Sequence, residues 1–248
     1  LTPVSSSRRC SPVPDLPRIP VPWVWVAATA AAPALIVAWL VAFRYPDLPD
    51  PMPVHWNAAG EADVFRPKSL SGFLGLILVG PGILLLSMVG AMALISAQST
   101  SLTQRGGAKT PEAAQRAWHS LQATQNHLGC SLSGLTLLVL SLLVRSYGAQ
   151  PGGADFVLFL LGVVVLTVFL VMAIYRAERV AQERWPRPAE EQRKWRGPLY
   201  HDPDDPRLLV PTDSGMNQAI NLGRPAGRII MGLLVLGPLL VLIPLLFL

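Results

Sequence analysis

The chain has 248 residues, of which 51% are hydrophobic and only 14% are charged, and its formal net charge is +5. Soluble domains carry about 25% charged residues, so this composition argues against a water-soluble globular protein and indicates a membrane protein. The two cysteines, Cys10 and Cys130, lie in a polar tail and in an apolar run, which argues against a disulfide framework.

The first segment, residues 1–22, combines several prolines with a serine cluster and three arginines. It has too few apolar residues to bury a core, so we expect a disordered tail. A twin-arginine or cleaved signal is the alternative. The apolar run that follows is longer than the core of a signal peptide, so we expect an uncleaved first span.

Five apolar runs reach the roughly 20 residues that a transmembrane helix needs. They cover residues 23–43, 73–97, 128–144, 156–175 and 229–248. No Asp, Glu, Lys or Arg lies inside any of them, whereas ion-coupled carriers place ionisable groups within the bilayer. The sequence therefore predicts an all-α integral membrane protein with a bundle of about five transmembrane helices, and it argues against coupled transport.

The third run is the most polar of the five. Small residues four positions apart, Gly129 with Ser133 and Cys130 with Gly134, allow another helix to approach closely, so we expect this run inside the bundle. An intramembrane serine nucleophile at Ser131 or Ser133 is the alternative. No run holds a histidine at mid-membrane depth, which favours helix packing.

The distribution of basic residues predicts the orientation. With the N-terminus inside, sixteen Lys and Arg residues fall on the inner side and four on the outer side. We therefore expect a cytoplasmic N-terminus and an extracellular C-terminus. The excess of arginine over lysine, with abundant alanine and proline, is typical of bacterial coding bias, so we expect a bacterial cell membrane protein. The expected units are a cytoplasmic tail (1–22), a helix–loop–helix unit (23–97) with an outward loop (44–72), a cytoplasmic loop (98–127), a helical hairpin (128–175), a basic cytoplasmic module (176–228) and a last transmembrane helix (229–248).

Within the 98–127 segment, Thr110-Pro111-Glu112 is a good helix start signal. Apolar residues recur after it at helical spacing. This pattern fits either an interfacial helix or an extension of the third span, and the sequence leaves both open.

The outward loop contains LPDPMPVHWNAAGEADVFRPKS at residues 48–69. Prolines at alternate positions stiffen its first half, and Asn57 and Gly60 then supply turn chemistry. The segment P-x-H-W-N-x-x-G, with its flanking helices, resembles a bacterial family known as domain of unknown function 1648. That family includes the SdpI-type immunity proteins, which are multi-pass membrane proteins that protect against a secreted peptide toxin, and whose type member also captures a repressor.

This resemblance implies an outer surface that meets an extracellular ligand. The candidate ligand-binding residues are Pro53, His55, Trp56, Asn57 and Gly60. One alternative is that His55 and Trp56 only pack the loop onto the helix ends. A second is a metal site at His55 with Glu61 and Asp63, but their spacing matches no known metal pattern, so no metal is expected.

A second motif lies between the fourth and fifth runs. Its signature residues are Trp195, Gly197, Tyr200, Asp202, Pro203, Asp205, Arg207, Asn221, Gly223 and Pro225. They resemble another domain of unknown function, numbered 5808, whose members usually carry basic residues where Thr212-Asp213 stands here. We expect a compact, turn-rich element with an apolar cluster of Trp195, Tyr200, Leu208 and Val210. Its acidic residues fit Asx turns better than a calcium site, because the EF-hand spacing is absent.

The chain has no Walker-type phosphate loop, nucleophile elbow or paired haem histidines, so we expect neither an enzyme nor a cofactor. The function predicted is that of a sensor or immunity-type membrane protein. Its expected partners are the lipid bilayer, an extracellular peptide and a cytoplasmic regulator, with no direct nucleic-acid contact. The alternative is a permease or accessory subunit of an exporter, with a substrate path along the proline-kinked second and fifth runs.

Overall fold

The computed structural model describes residues 16–57, 59–102, 108–148, 153–214 and 217–245. The helices are α1 (Trp23–Phe43), α2 (Leu70–Ser101), α3 (Pro111–Gly148), α4 (Gly153–Arg184), α5 (Ala189–Gln192) and α6 (Pro225–Leu245). Three antiparallel hairpins lie between them: β1 (Met52–Trp56) with β2 (Ala62–Arg66), β3 (Trp195–Arg196) with β4 (Leu199–Tyr200), and β5 (Leu209–Pro211) with β6 (Gln218–Ile220).

Four helices, α1 to α4, are long and apolar enough to cross a membrane, and the first part of α6, Pro225–Leu234, is a shorter apolar helix. The predicted α-helical membrane protein of about five helices is therefore confirmed. Helices α1 and α2 are apolar on all sides over most of their length, which suits a lipid surrounding better than water.

Helix α3 lies at the centre of the bundle and packs against α1, α2 and α4. Its small residues allow this, as predicted: a Cβ added at Gly129 would lie 2.6 Å from the Trp25 ring, and one at Gly134 would lie 3.0 Å from Leu166. The Ser133 hydroxyl forms a buried 2.8 Å hydrogen bond with Thr29 of α1. Ser133 therefore contributes to the contact between α3 and α1.

Helix α4 is the most exposed of the four spans, because it packs extensively only against α3. Its outward face is a continuous apolar surface. The exposed residues include Val157, Leu158, Leu161, Val164, Val165 and Val168. Lipid tails can cover such a surface without any loss of hydrogen bonds, since all backbone groups of the helix interior pair within the helix.

The helices extend well beyond the apolar runs at one end of the bundle. Helix α2 continues to Ser101, α4 continues to Arg184, and α3 begins at Pro111, where the Thr110 hydroxyl accepts a 3.1 Å hydrogen bond from the Ala113 amide. Helix α3 is continuous from there, so residues 111–127 are an extension of the third span and not a separate interfacial helix. Most of the predicted 98–127 loop is therefore helical.

Part of the predicted disordered tail is docked on the bundle. Residues 1–15 lie outside the described part of the chain, but Ile19 is 1% exposed. The Ile19 amide donates to the Ser99 hydroxyl at 3.0 Å, and the Ser96 hydroxyl donates to the Ile19 carbonyl at 2.9 Å. The disorder prediction is wrong for residues 16–22, because these serines satisfy the extended backbone and one apolar side chain is buried.

Candidate functional site

Two small folded elements lie at opposite ends of the bundle. We call the first the hairpin end (residues 44–69 with Tyr147) and the second the module end (residues 185–224 with the adjoining ends of α3 and α4). Helix α3 contacts both of them, through Tyr147 at one end and Arg116 at the other. The candidate ligand-binding residues lie at the hairpin end, and the second motif forms the module end.

The predicted loop at the hairpin end is a β-hairpin. Strands β1 and β2 pair from Met52 with Arg66 to Trp56 with Ala62. The Asn57 side-chain oxygen accepts hydrogen bonds from the Ala59 and Glu61 amides at 3.0 Å each, and Gly60 has a φ of +84°. The predicted turn chemistry of Asn57 and Gly60 is therefore confirmed, and both residues serve the fold of the hairpin.

Aromatic contacts hold the hairpin on the helix ends. The Trp56 ring lies 5.1 Å from the Tyr147 ring in an edge-to-face arrangement, and the Tyr147 hydroxyl donates to the Pro53 carbonyl at 3.3 Å. Met52 is 1% exposed. It lies in a core cluster with Val37, Leu40, Phe73, Ile77 and Tyr147. Pro53 and Trp56 thus have a packing role that requires no ligand.

Lys68 closes the base of the hairpin, a role that sequence reasoning missed. Its ammonium donates to the Pro46 and Leu48 carbonyls at 2.9 and 2.7 Å, and it lies 5.2 Å from the centre of the Tyr45 ring. Its amide donates to the Asp50 carboxylate at 2.9 Å. No local pattern indicates these hydrogen bonds, because the lysine and the carbonyls lie about twenty residues apart.

The exposed part of the hairpin contains His55 and most of strand β2. His55 Nδ1 lies 2.6 Å from the Asp63 carboxylate, and the two side chains are 63% and 43% exposed. Phe65 is 50% exposed although it is apolar. Within the described residues, no group of three or more His, Cys, Asp or Glu side chains could hold a metal ion. Of the predicted ligand-binding set, His55 is the most exposed member.

Asn221 organises the module end. It is completely buried, and its side chain forms hydrogen bonds with five backbone groups. The amide nitrogen donates to the carbonyls of Asp202, Asp205 and Arg207 at 2.8–3.2 Å. The side-chain oxygen accepts from the amides of Asp202 and Gly223 at 3.1 and 2.9 Å. One side chain therefore satisfies a buried turn that lacks regular secondary structure.

The two signature glycines allow close backbone approach. A Cβ at Gly223 would lie 2.4 Å from the Asp202 carbonyl carbon. Gly197 has a φ of +61°, and a Cβ there would lie 2.5 Å from the Tyr175 ring. A larger residue at Gly223 would clash with the Asp202 backbone inside the module, and a larger residue at Gly197 would clash with Tyr175 of α4.

The acidic residues of the motif form turns and pairs, as predicted. Asp202 accepts from the Asp204 amide and Asp205 from the Arg207 amide, each at 3.0 Å, so both are Asx turns. The hydrogen bond from the Arg207 side chain holds the pKa of Asp205 well below its usual range. Burial, together with a hydrogen bond to Asp205, raises the pKa of Tyr200 to about 12. The compact, turn-rich module is confirmed.

The predicted apolar cluster of the module is confirmed in part. The rings of Trp195 and Tyr200 lie 5.1 Å apart, and Tyr200 and Val210 are 4% and 6% exposed. Leu208 is only half-buried. Aromatic contact between the β3 and β4 strands therefore supplies most of this small core.

A buried ionic cluster joins the module to α3 and α4. Arg116 of α3 donates to both carboxylate oxygens of Asp213, at 2.7 and 3.0 Å, and Arg187 donates to the same carboxylate at 2.5 Å. Glu178 of α4 lies 3.5 Å from Arg187. Burial would raise the pKa of Asp213, but the hydrogen bond from Arg116 and the charges of both arginines outweigh it and lower this pKa.

This cluster was not predicted. The two arginines entered the sequence argument only as positive charges, and Asp213 only as a departure from the second motif. Arg116 and Asp213 are 97 residues apart, so no local pattern links them.

Residues 34–80 match the model of a family described as Domain of unknown function (DUF1648). The matched segment runs from α1 through the hairpin into α2. No curated protein and no solved structure matches the chain. The molecule is therefore an α-helical membrane protein that carries a segment of this uncharacterised family. The resemblance carried by the P-x-H-W-N-x-x-G segment is confirmed, whereas the resemblance of the module to domain 5808 stays a prediction.

Proposed function

We propose that the protein is a non-enzymatic membrane sensor or immunity-type protein, which binds an extracellular peptide at the hairpin end and a cytoplasmic regulator at the module end. The observation that best supports this is the continuity of α3. This 38-residue helix, roughly 57 Å long at 1.5 Å per residue, contacts the hairpin through Tyr147 and the module through Arg116. A displacement at one end therefore has a direct path to the other.

The proposed orientation places the hairpin end outside the cell. The chain segments predicted to be cytoplasmic do lie together: the Trp118 indole of α3 donates to the Pro17 carbonyl at 2.7 Å, and Gln98 of α2 lies 3.4 Å from Asn217 of the module. The basic residues are concentrated in the same segments, which the positive-inside rule assigns to the cytoplasm.

Labelling of introduced cysteines tests this orientation. In a protein without Cys10 and Cys130, Ala59→Cys should react with an impermeant maleimide from outside intact cells, and Glu190→Cys should react only after lysis. Both positions are exposed, so accessibility in the folded chain is matched. External labelling at position 190 contradicts the proposed orientation.

The hairpin suits an extended peptide better than a compact ligand. Its sheet has two strands in the described part of the chain, so each strand has one edge without a partner strand. An extended peptide can pair with such an edge through backbone hydrogen bonds. The exposed Val64 and Phe65 of β2 would provide apolar contacts for its side chains.

A photo-crosslinking experiment with a matched control tests peptide binding. A benzophenone amino acid replaces either Phe65 or Phe43, which are 50% and 65% exposed, in cells grown in medium conditioned by the same strain. We expect a secreted peptide to be attached at position 65 and not at position 43, which ends α1. Equal attachment at both positions contradicts a specific site.

The same cells test the biological role. A deletion strain should grow poorly in conditioned medium, and the wild-type gene should restore growth. Phe65→Ala and His55→Ala should fail to restore growth although the protein reaches normal membrane abundance. If both variants protect fully, the immunity-type function is wrong and the alternative, an exporter subunit, should be sought through a co-purifying ATPase.

A further inference from the structure

An open groove with a volume of about 500 Å³ lies between α3 and α4 near the module end. Its wall on α4 is mainly apolar and includes Phe169, Met172, Ala173, Ala177 and Val180. The larger of these side chains are about half exposed, so the groove opens at the outer surface of the bundle. Its volume lies within the roughly 300–1,000 Å³ of sites that bind small molecules.

Three polar side chains line the same groove, His119 and His127 of α3 and Arg176 of α4. The two histidines are eight residues apart, so they share one face of α3 and lie roughly 12 Å apart along its axis. Within the described part of the chain, none of the three forms a hydrogen bond or an ion pair, and the histidine rings contact only Trp185 and Phe169.

These polar groups can be reached from outside the chain. Arg176 is exposed, and the ring nitrogens of the two partly buried histidines are not fully enclosed. All residues that line the groove belong to the continuous helices α3 and α4. The donors of Arg176 are therefore available to a molecule that enters the groove.

The groove crosses the boundary between the apolar and polar parts of both helices. The apolar run of α4 ends directly before Arg176, and that of α3 begins directly after His127. The rings of His127 and Phe169 lie 6.2 Å apart, which shows that the two boundaries are at a similar level. A molecule in the groove would have apolar groups beside Phe169 and a polar group beside Arg176.

The charge of Arg176 is not balanced by the groove. The described residues that line it include no carboxylate. The nearest acidic residues along α4, Glu178 and Glu183, already pair with Arg187 and Arg179. The groove therefore complements a ligand with a net negative charge better than a zwitterion.

We propose that this groove binds an anionic phospholipid, with its phosphate beside Arg176 and His119 and an acyl chain along the apolar wall of α4. The charged, planar donors of arginine suit phosphate oxygens. Basic pockets between transmembrane helices are suitable sites for anionic headgroups. A soluble anion would leave the apolar wall uncovered, so a lipid is the occupant that uses both parts of the groove.

Thermal unfolding of the full chain in a neutral detergent tests the proposal. Dioleoyl-phosphatidylglycerol should raise the unfolding temperature in a saturable way, because it binds the folded state, and dioleoyl-phosphatidylcholine with the same acyl chains should not. Glycerol phosphate, which has the anionic group without the acyl chains, should have no effect. Equal shifts with both lipids, or the full shift with glycerol phosphate, overturn the proposal.

A matched pair of variants separates this groove from general surface charge. Arg176→Gln should weaken the binding of phosphatidylglycerol about tenfold, the loss expected for one charged hydrogen bond. Arg179→Gln removes the same charge three residues further along α4, from a side chain that is 69% exposed and does not line the groove, and should keep the affinity. Equal losses in the two variants overturn the proposal.

Photo-crosslinking locates the lipid without changing any charge. A benzophenone amino acid replaces either Met172, which lines the groove and is 53% exposed, or its neighbour Val171, which does not line it and is 59% exposed. In vesicles with equal amounts of the two lipids, position 172 should be attached mainly to phosphatidylglycerol, and position 171 to both lipids equally. The same ratio at both positions means that the groove does not select an anionic lipid, and the proposal is then wrong.

Discussion

The two ends of the bundle are held together by different kinds of contact. At the hairpin end, the rings of Trp56, Phe73 and Tyr147 and the buried Met52 provide a mainly apolar interface. At the module end, Arg116, Arg187, Glu178 and Asp213 form a buried ionic cluster, and one asparagine satisfies five backbone groups. Apolar contacts tolerate small changes in geometry, whereas buried charges demand exact partners.

The difference matters because both interfaces involve the same helix. A shift of α3 at the hairpin end changes packing gradually, but at the module end it either keeps or breaks charged hydrogen bonds. The module end is therefore the more sensitive of the two, which fits an element that has to register a change made elsewhere.

The largest expected effect is the loss of a buried ion pair. Arg116→Met should destabilise the module end by about 3–5 kcal/mol, because Asp213 keeps a buried charge with one partner fewer. The matched change near the opposite end of α3, Arg145→Met, breaks the pair with Asp155, in which the arginine side chain is 61% exposed, and should lower the stability by at most about 1 kcal/mol. Thermal unfolding in detergent measures both. Equal losses of stability in the two variants would contradict the proposed difference between the two ends of the bundle.

Asn221→Ala should lower the stability of the module by about 2–4 kcal/mol, because buried backbone groups lose their hydrogen bonds to the Asn221 side chain. The expected readout is faster tryptic cleavage after Arg207 in inside-out vesicles, with the transmembrane helices unchanged. Asn217→Ala is the control from the same module. If trypsin cuts freely within residues 199–221 of the wild type, the module is not a folded element.

At the hairpin end, Trp56→Ala should lower the free energy of unfolding by about 2–3 kcal/mol, which is less than the loss expected for a fully buried tryptophan. It should also lower the abundance of the protein in the membrane. His55→Ala removes an exposed side chain and should change the stability by less than about 0.5 kcal/mol. Quantitative immunoblots of membranes compare the two. Normal abundance of Trp56→Ala with a lost phenotype would instead make Trp56 a ligand contact.

The smallest effect expected is a pH dependence confined to the module end. The pKa values of Asp202, Asp205 and Asp213 are lowered in the folded protein, so their contributions are fully present above the ordinary value of 3.8 and are lost as the pH falls through the folded values. Tryptic cleavage is unsuitable at such pH, so pepsin cleavage from pH 4.5 downward should detect the loosening. Earlier cleavage of the hairpin would contradict the prediction.

Local patterns in the sequence were enough to predict the helices and several turns. Uninterrupted apolar runs of this length predict helical spans because a helix pairs the backbone groups of the run within the segment itself. Gly129 with Ser133 predicted the close contacts of α3, and Asn57 with Gly60 predicted a turn. Each of these features depends on residues within a few positions of one another.

Contacts between distant residues were not predictable from one sequence. The prolines before His55 favour a loop, because proline is uncommon within strands, so the hairpin that the structure shows is not predicted by this pattern. The docking of residues 16–22 depends on Ser96 and Ser99, and the ionic cluster depends on residues from three separate segments. A polar composition alone does not reveal that such partners exist.

The pairing of Arg116 with Asp213 also has a consequence for biosynthesis. The two residues are 97 positions apart, so at 5–20 residues per second the ribosome needs roughly 5–20 s to supply the carboxylate after the arginine. During that interval the extended end of α3 carries an unmatched charge beside the membrane. The nascent chain therefore completes the ionic cluster on its central helix only after the module has been synthesised.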